Sequence, residues 1–162
     1  MAIRKATERD LARLMEIYDI ARGFMRAEGN DQQWVNGYPD EALLRADIAG
    51  GWLHVMADDD GAIHAVFALV GGDDPCYAEI EGAWASDAPY AAIHRIASDG
   101  SGHGVLRRAV AFARERFDHL RVDTHALNRT MQRAILREGI AYRGVIHLEN
   151  GDPRLAYDWV KA

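Results

Sequence analysis

The chain has 162 residues, of which 49% are hydrophobic, and this length is enough to bury one core without a second domain. We therefore expect a single domain over residues 1–162. The formal net charge of -6 disfavours a nucleic-acid partner, because polyanion binding needs clustered Lys and Arg. The only cysteine, Cys76, cannot form an internal disulfide or a cysteine-built zinc site.

The first ten residues, MAIRKATERD, are charged and lack the apolar stretch of a signal peptide. No run of about eighteen apolar residues follows. These features predict a cytoplasmic protein with no membrane association.

Hydrophobic spacing and turn residues divide the chain into helices and strands. Apolar residues at intervals of three and four predict helices, whereas alternating or short continuous apolar runs predict strands. In the segment DDDG, Gly61 supplies the positive φ of a hairpin turn. In chain order, the predicted elements are a strand at 2–6, helices at about 8–26 and between Pro39 and Gly50, strands at 52–57, 62–70 and 90–98, a helix at 104–117, a strand at 119–125, a helix at about 129–138, and strands near 141–148 and 155–161.

The second half of this order contains two crossovers from strand to helix to strand, which are typical of parallel pairing. The sequence therefore predicts an α/β fold, with a central mixed β-sheet of about six to seven strands flanked by about four helices. Between the strands at 62–70 and 90–98 lies a long irregular segment that is rich in aromatic and acidic residues. A loop of this length in a small domain is more often functional than structural.

Three glycines at alternate positions, Gly100, Gly102 and Gly104, separate a predicted strand from a predicted helix. Glycines at such a junction leave backbone N–H groups unshielded at the positive end of the helix, where phosphate oxygens bind well. The GxGxxG and P-loop signatures do not fit, since Val105 and Arg107 stand where further glycines would be needed and the P-loop lysine is missing.

A different pattern fits the stretch DGSGHG at 99–104, which resembles the R/QxxGxG/A motif of the GNAT superfamily of N-acetyltransferases. Downstream, Asn128 and the pair Gly139-Ile140 are similar to the Asn and Gly-Phe positions of that family. The segments IHRIAS, DTH, NRTMQ, GYP and YAEIEGAW also resemble one bacterial branch of it.

The resemblance implies that acetyl-coenzyme A is the cosubstrate and that backbone amides of this loop bind its pyrophosphate. The preceding strand would meet the pantetheine arm through its main chain, and the later helix would approach the same cofactor. The implied cofactor-binding residues are Ile96, Ser98, Asp99, Gly100, Ser101, Gly102, His103, Gly104, Val105, Asn128 and Met131.

Two positions depart from the family pattern. Asp99 stands where Arg or Gln is usual, and its carboxylate is expected to repel phosphate unless Arg107 and Arg108 restore positive charge nearby. Ile135 stands where the family often places a tyrosine that serves as general acid, so that role is either absent or moved.

Acetyl transfer to an amine needs a base, a polarised thioester carbonyl and a proton donor for the leaving thiolate. His94 is the titratable candidate base on its strand, with Glu79 and Glu81 as alternatives in the irregular segment. A hydrogen-bonded structural histidine and ordinary solvated acids are the competing interpretations. Cys76 is either a small packing residue or, less favourably, a covalent nucleophile.

Four aromatic residues fall in the irregular segments, and they either wall an acceptor pocket or cover the core. They are the candidate substrate-binding residues Trp34, Tyr38, Tyr77 and Trp84. The run from Asp123 to His125 at a strand end is open to three interpretations, namely a metal site, a proton relay or a structural hydrogen-bond network. Because the spacing fits no zinc motif and the resembled family uses no metal, we expect none.

The sequence thus predicts an N-acetyltransferase that moves the acetyl group of acetyl-coenzyme A to a primary amine. The amine belongs to a small molecule or to a peptide or protein, and it attacks directly within a ternary complex. The alternative is a catalytically inactive domain that binds or senses acyl-coenzyme A. A phosphate-binding α/β protein of another kind is a third option, and the apolar last strand together with the resemblance adds the expectation of a homodimer.

Overall fold

The computed structural model describes residues 1–162 and contains four α-helices and eight β-strands. The elements are β1 (Ala2–Lys5), α1 (Leu11–Ala27), α2 (Glu41–Ala49), β2 (Leu53–Ala57), β3 (Ile63–Gly71), β4 (Glu81–Gly82), β5 (Ala91–Ser98), α3 (Val105–Arg114), β6 (His119–Thr124), α4 (Arg129–Arg137), β7 (Ala141–His147) and β8 (Pro153–Val160).

The strands form one mixed sheet in the order β1-β2-β3-β5-β6-β8-β7-β4. Strands β5 and β6 pair in parallel, with Ala91 opposite Leu120, while β6 and β8 pair antiparallel. This confirms the predicted α/β fold with its mixed sheet and four helices.

The sheet has one strand more than the upper end of the predicted six to seven, because the irregular segment contributes the edge strand β4. Its two residues pair with Val145 and Gly144 of β7. A side chain on Gly82 would collide with the carbonyl of Arg143, so the two backbones approach as only glycine allows. A strand of two exposed residues shows no alternation, which is why the sequence did not reveal it.

Helix boundaries follow the local signals that the sequence carries. The carboxylate of Asp40 accepts a hydrogen bond from the amide of Leu43 at 2.9 Å and so caps α2. The side-chain oxygen of Asn128 caps α4 in the same way, accepting from the amide of Met131 at 3.1 Å. Gly139, with φ of +73°, ends α4 in the left-handed conformation.

The chain forms two compact units, which are described separately. The first unit comprises Met1–Leu69 with His94–Val105, and the second comprises Val70–Ile93 with Leu106–Ala162. In the first unit, α1 buries one face completely, with Leu14, Ile17 and Tyr18 among its core residues. The assignment of residues 1–162 to one domain stays a prediction.

In the second unit, a buried cluster contains Tyr77, Tyr90, Ala92, Ile146 and Ala156. Helix α3 lies in this unit from Leu106 onward and buries its apolar stripe of Leu106, Ala109, Val110 and Ala113.

No helix of the chain is both long enough and apolar enough to span a membrane.

Candidate functional site

The glycine loop (residues 99–104) joins β5 to α3 and belongs to the first unit. Gly100 and Gly104 have φ of +84° and +67°, a conformation that residues with a Cβ adopt only at a cost. Most of the loop is exposed to solvent. The first N–H groups of α3 have no carbonyl partner inside the helix, so the end of the loop presents donors and a positive helix dipole.

The carboxylate of Asp99 does not face solvent as a free charge. Arg13 of α1 donates to it at 2.7 Å, and the side chain of Asp99 is only 11% exposed. The Ser101 amide donates at 2.9 Å and the Ser101 hydroxyl at 2.5 Å to the other carboxylate oxygen. Burial alone would raise the pKa of Asp99, but the hydrogen bonds from Ser101 and His64 prevail and lower it to about 2.

His64 of β3 lies between two carboxylates. Its Nδ1 is 3.1 Å from Asp99 and its Nε2 is 3.0 Å from Asp58 in the β2–β3 turn. Hydrogen bonds that His64 donates to Asp58 and, second, to Asp99 raise the pKa of His64 above its ordinary value. Arg13, Asp58, His64, Asp99 and Ser101 are called the Asp99 cluster below.

This arrangement differs from the expectation that an unpaired acid at Asp99 would confront a phosphate. The carboxylate is paired inside the first unit by Arg13, which lies far away in the sequence and which no local pattern could indicate. The arginines proposed as compensation lie in α3, where both are exposed, and Arg107 contacts Glu138 at 3.3 Å.

Strand β5 contains a strained residue next to the candidate base His94. Arg95 has φ of +52°, which is unusual for a non-glycine residue and persists only where its surroundings enforce it. The buried Tyr18 hydroxyl donates to the Arg95 carbonyl at 2.7 Å, and the Arg95 guanidinium binds both carboxylate oxygens of Asp47 at 2.8 and 3.1 Å. His94 itself is half-buried.

The two pantetheine candidates on the same strand are also partly accessible. Ile96 and Ser98 are half-buried, and the Ser98 hydroxyl accepts from the amide of Gly100 at 3.1 Å. Ser98 therefore shapes the first turn of the glycine loop.

A cavity of about 320 Å³ lies in the first unit, between the end of α1 and the segment that follows it. Trp34 forms part of its wall, and the Trp34 ring packs edge-on against Tyr18 with centroids 5.6 Å apart. Tyr38 is exposed by 39% and its hydroxyl accepts from Arg95 at 3.3 Å. The lining residues are Arg22, Met25, Arg26, Asn30, Asp31, Trp34, Val35, Asn36 and Gly37.

The other two aromatic candidates belong to the second unit and cover its core. Tyr77 is only 2% exposed, and its hydroxyl donates to Asp123 at 2.5 Å. The Trp84 indole donates to the carbonyl of Tyr77 at 3.0 Å and its ring lies 4.1 Å from the Arg121 guanidinium carbon. Tyr77 thus occupies the core-covering position that the sequence left open as the alternative, and its substrate role stays a prediction.

Asp158 anchors the segment that contains these aromatic residues. It is completely buried and accepts from Arg143 at 2.5 Å, from His119 at 2.9 Å and from the amide of Ala85 at 3.0 Å. The other ring nitrogen of His119 is 3.0 Å from the carbonyl of Ala88. Ala85, His119, Arg143 and Asp158 are called the Asp158 cluster below.

The strand-end run from Asp123 to His125 forms hydrogen bonds within the second unit, as the structural interpretation anticipated. Asp123 receives the Tyr77 hydroxyl, and His125 Nδ1 accepts from the Leu127 amide at 3.0 Å. The chain contains no group of three or more His, Cys, Asp or Glu side chains placed to hold one metal ion. Burial raises the pKa of the Cys76 thiol, with Asp74 adding to the shift, which disfavours a reactive thiolate.

The remaining candidates occupy ordinary positions of the second unit. Glu79 and Glu81 are exposed, and Met131 is half-buried on α4. Asn128 is buried and caps its helix, while Ile135 is completely buried and has no polar group to offer.

Four residues important to the site geometry were not identified from the sequence: Arg13, Tyr18, Asp47 and His64. Each acts on the glycine loop or on Arg95 from a distant element, so no spacing rule could have connected them.

The mixed sheet with a glycine loop between β5 and α3 matches the fold of solved acetyltransferase structures. A crystal structure of a GNAT-family acetyltransferase from Streptococcus agalactiae matches this chain with a TM-score of 0.90 and 32% sequence identity, over 99% of this chain and 95% of that one. The chain therefore belongs to the GNAT family of acetyltransferases.

Two more distant structures support the fold alone. A GNAT-family acetyltransferase from Listeria monocytogenes has a TM-score of 0.74 and 18% identity, over 98% of this chain and 94% of that one. A ribosomal-protein-alanine N-acetyltransferase from Brucella melitensis has a TM-score of 0.61 and 18% identity, with 99% of both chains covered. No protein-family model and no curated protein matches the chain.

Proposed function

We propose that the protein is an N-acetyltransferase that transfers the acetyl group of acetyl-coenzyme A to a primary amine of a small molecule, peptide or protein. The observation that carries this proposal is the glycine loop at the start of α3, in a chain of the GNAT family. Its left-handed Gly100 and Gly104 leave the main chain uncovered, and its one acid is paired by Arg13. The loop therefore has the chemistry that a diphosphate requires.

In this proposal the amides of residues 99–105 bind the pyrophosphate, and the main chain at Ile96 and Ser98 meets the pantetheine arm. Asn128 and Met131 remain cofactor candidates from the family resemblance. The side chain of Asn128 already caps α4, so we expect it to contribute to cofactor binding through the helix geometry that it fixes.

The reaction proceeds by direct attack in a ternary complex. A base removes the extra proton of the ammonium group, and the amine nitrogen then forms a bond to the thioester carbonyl carbon, which leaves the nitrogen with one surplus proton. The carbon–sulfur bond breaks, the nitrogen loses that proton, and the leaving thiolate takes up one proton, so the products are the amide and the free thiol of coenzyme A. His94 is the favoured base because it is half-buried and adjoins Arg95, whose left-handed backbone conformation is held by its contacts. Glu79 and Glu81 are exposed and remain the alternatives.

The cavity beside Trp34 is the proposed acceptor site. Arg22 and Arg26 line it, which favours an acceptor that carries an acidic group besides its amine. Arg22 is already hydrogen-bonded to Asp19 and to the Tyr38 carbonyl, so Arg26 is the more available of the two cations. Replacing Arg26 by Gln should raise KM for a carboxylate-bearing amine and leave KM for its neutral ester analogue unchanged.

One observation favours the inactive alternative, in which the domain binds or senses acyl-coenzyme A. Ile135 fills the position of the common family tyrosine and is completely buried, so that helix supplies no proton donor there. A cytoplasmic location, a homodimer and the absence of a metal remain predictions.

Calorimetric titration with acetyl-coenzyme A, coenzyme A and ATP tests the proposal first. Binding of both coenzyme A forms without ATP supports it, whereas failure of both to bind refutes the enzyme and the sensor together. Release of free thiol from acetyl-coenzyme A in the presence of an amine panel then separates the two. Thiol release that requires an amine indicates the transferase, and binding without release indicates the sensor.

A further inference from the structure

We propose that Arg13 and His64 are positioning residues that hold the glycine loop in its phosphate-binding shape through Asp99, so that affinity for coenzyme A depends on the proton carried by His64. This inference rests on the proposed function, because it concerns the same loop.

The hydrogen-bond roles in the Asp99 cluster follow from its geometry. The Ser101 hydroxyl has one proton, which it gives to Asp99 at 2.5 Å, so its oxygen accepts at 2.9 Å from Nδ1 of His64. That Nδ1–H also faces the second Asp99 oxygen at 3.1 Å. Nε2 faces Asp58 at 3.0 Å, and because carboxylates only accept, both ring nitrogens of His64 carry protons.

The surroundings of His64 supply matching charges. Asp58 and Asp99 are the negative groups that face its ring, and Arg13 is the other cation of the cluster, shared with Glu16 at 3.1 Å. Arg13 also donates to the carbonyl of Ile63 at 3.0 Å, which fixes α1 to the start of β3. With His64 protonated, two cations meet two carboxylates, of which Asp99 anchors the loop.

Loss of the His64 proton leaves one carboxylate facing a lone pair and weakens the hold on Asp99. The direction of the pH dependence follows from the raised pKa of His64. The Asp99 cluster is intact at a pH below the ordinary histidine pKa, and it loosens as the pH rises through the pKa of His64 in the folded protein. Proton and ligand are then coupled, so bound coenzyme A in turn strengthens proton binding at His64.

The test is a calorimetric titration of coenzyme A between about pH 5.5 and 8.5, a range that spans histidine titration. For the unmodified protein we expect affinity to fall about fivefold or more with rising pH, the lower range of coupling between two sites. His64→Gln should flatten this pH profile. His147→Gln, an exposed histidine of β7 outside the cluster, is the matched control and should keep the normal profile.

Asp58→Asn tests whether the proton on His64, and not general structural support, sets the affinity for coenzyme A. It removes one negative neighbour of His64 while an amide oxygen can still accept in the turn, so the midpoint of the affinity profile should move to lower pH with unchanged affinity at the acid limit. A purely structural role would change affinity at every pH alike. Such a uniform loss, or an identical profile in His64→Gln, overturns the inference.

A measurement without ligand distinguishes this failure from failure of the proposed function. The backbone amide shift of Ser101 should follow the titration of His64 in the unmodified protein and lose that dependence in Asp99→Asn. Coupled amide shifts without any coenzyme A binding would refute the proposed function and the affinity claim. Binding with an amide that ignores pH would refute the positioning role alone.

Discussion

Two loops of this protein are anchored by the same three kinds of contact. In the glycine loop, Asp99 accepts from an arginine, a histidine and the amide of Ser101. The aromatic loop (residues 72–90) is anchored by Asp158 of β8, which accepts hydrogen bonds from an arginine, a histidine and the amide of Ala85. An aspartate with these partners therefore serves as a loop anchor in both units.

The difference between the two anchors is burial. Asp158 is completely enclosed in the second unit, whereas most of the glycine loop that Asp99 anchors is open to solvent. A buried charged group that loses a partner is costly because the remaining charges stay desolvated. A partly exposed cluster can respond to pH at modest cost. The enclosed anchor suits a structural loop, and the accessible one suits a loop that binds a ligand.

The largest effect is expected from Asp158→Ala. It removes the buried carboxylate that the half-buried Arg143 and the buried His119 share, and we expect a loss of about 3–5 kcal/mol in unfolding free energy. Denaturant unfolding measures this, with Asp118→Asn at an exposed aspartate as the control that should change little. A loss below about 1 kcal/mol would show that the aromatic loop does not depend on its anchor.

The next effect concerns the glycine loop itself. Gly104→Ala forces a Cβ into the left-handed region, at about 1–2 kcal/mol of stability, and should weaken coenzyme A binding about tenfold or more. Gly61→Ala introduces the same backbone strain in the β2–β3 turn, where φ is +85° and nothing lies within 4 Å. The two variants should lose similar stability, and only Gly104→Ala should lose affinity. Equal affinities would remove the loop from the cofactor site.

A third prediction concerns how the stability given by the Asp99 anchor depends on pH. Because the pKa of Asp99 is lowered to about 2, its contribution to stability is present above the unfolded value of about 3.9 and is lost as pH falls toward 2. Unfolding measured between about pH 4 and 2 should therefore show a steeper loss for the unmodified protein than for Asp99→Asn. Parallel curves would mean that the carboxylate gains nothing from its partners.

The smallest effect is expected from Ser101→Ala, which removes the hydroxyl contact to Asp99 and keeps the amide contact, the counterpart of the Ala85 amide at Asp158. Since the amide still donates to Asp99, the loss should be about 1 kcal/mol or less in thermal or denaturant unfolding. A loss as large as that of Asp158→Ala would show that the hydroxyl, and not the ion pair, holds the loop.

Much of the fold was accessible from the sequence because its signals are local. Apolar spacing placed α1 and α3, Asn128 marked the start of α4, and Gly61 marked the hairpin turn. Strand β4 was missed because it depends on a close approach between Gly82 and β7, which no periodicity encodes.

The site was only partly predictable for a similar reason. The glycine loop could be identified from its composition, but the pairing of Asp99 with Arg13 joins positions 86 residues apart. Composition also could not tell Trp34, at the cavity wall, from Tyr77 in the core, since both stand in irregular aromatic segments. Only the folded arrangement shows that the Tyr77 ring is buried while Trp34 lies at the cavity wall.

The central claim is that the amides of the glycine loop bind the diphosphate of coenzyme A. The most direct measurement is a backbone amide chemical-shift titration with coenzyme A, in which the well-separated glycine signals report on Gly100, Gly102 and Gly104. We predict that these amides and that of Val105 shift among the most strongly and follow one saturating curve. Saturable binding that leaves these four amides unmoved would contradict the claim.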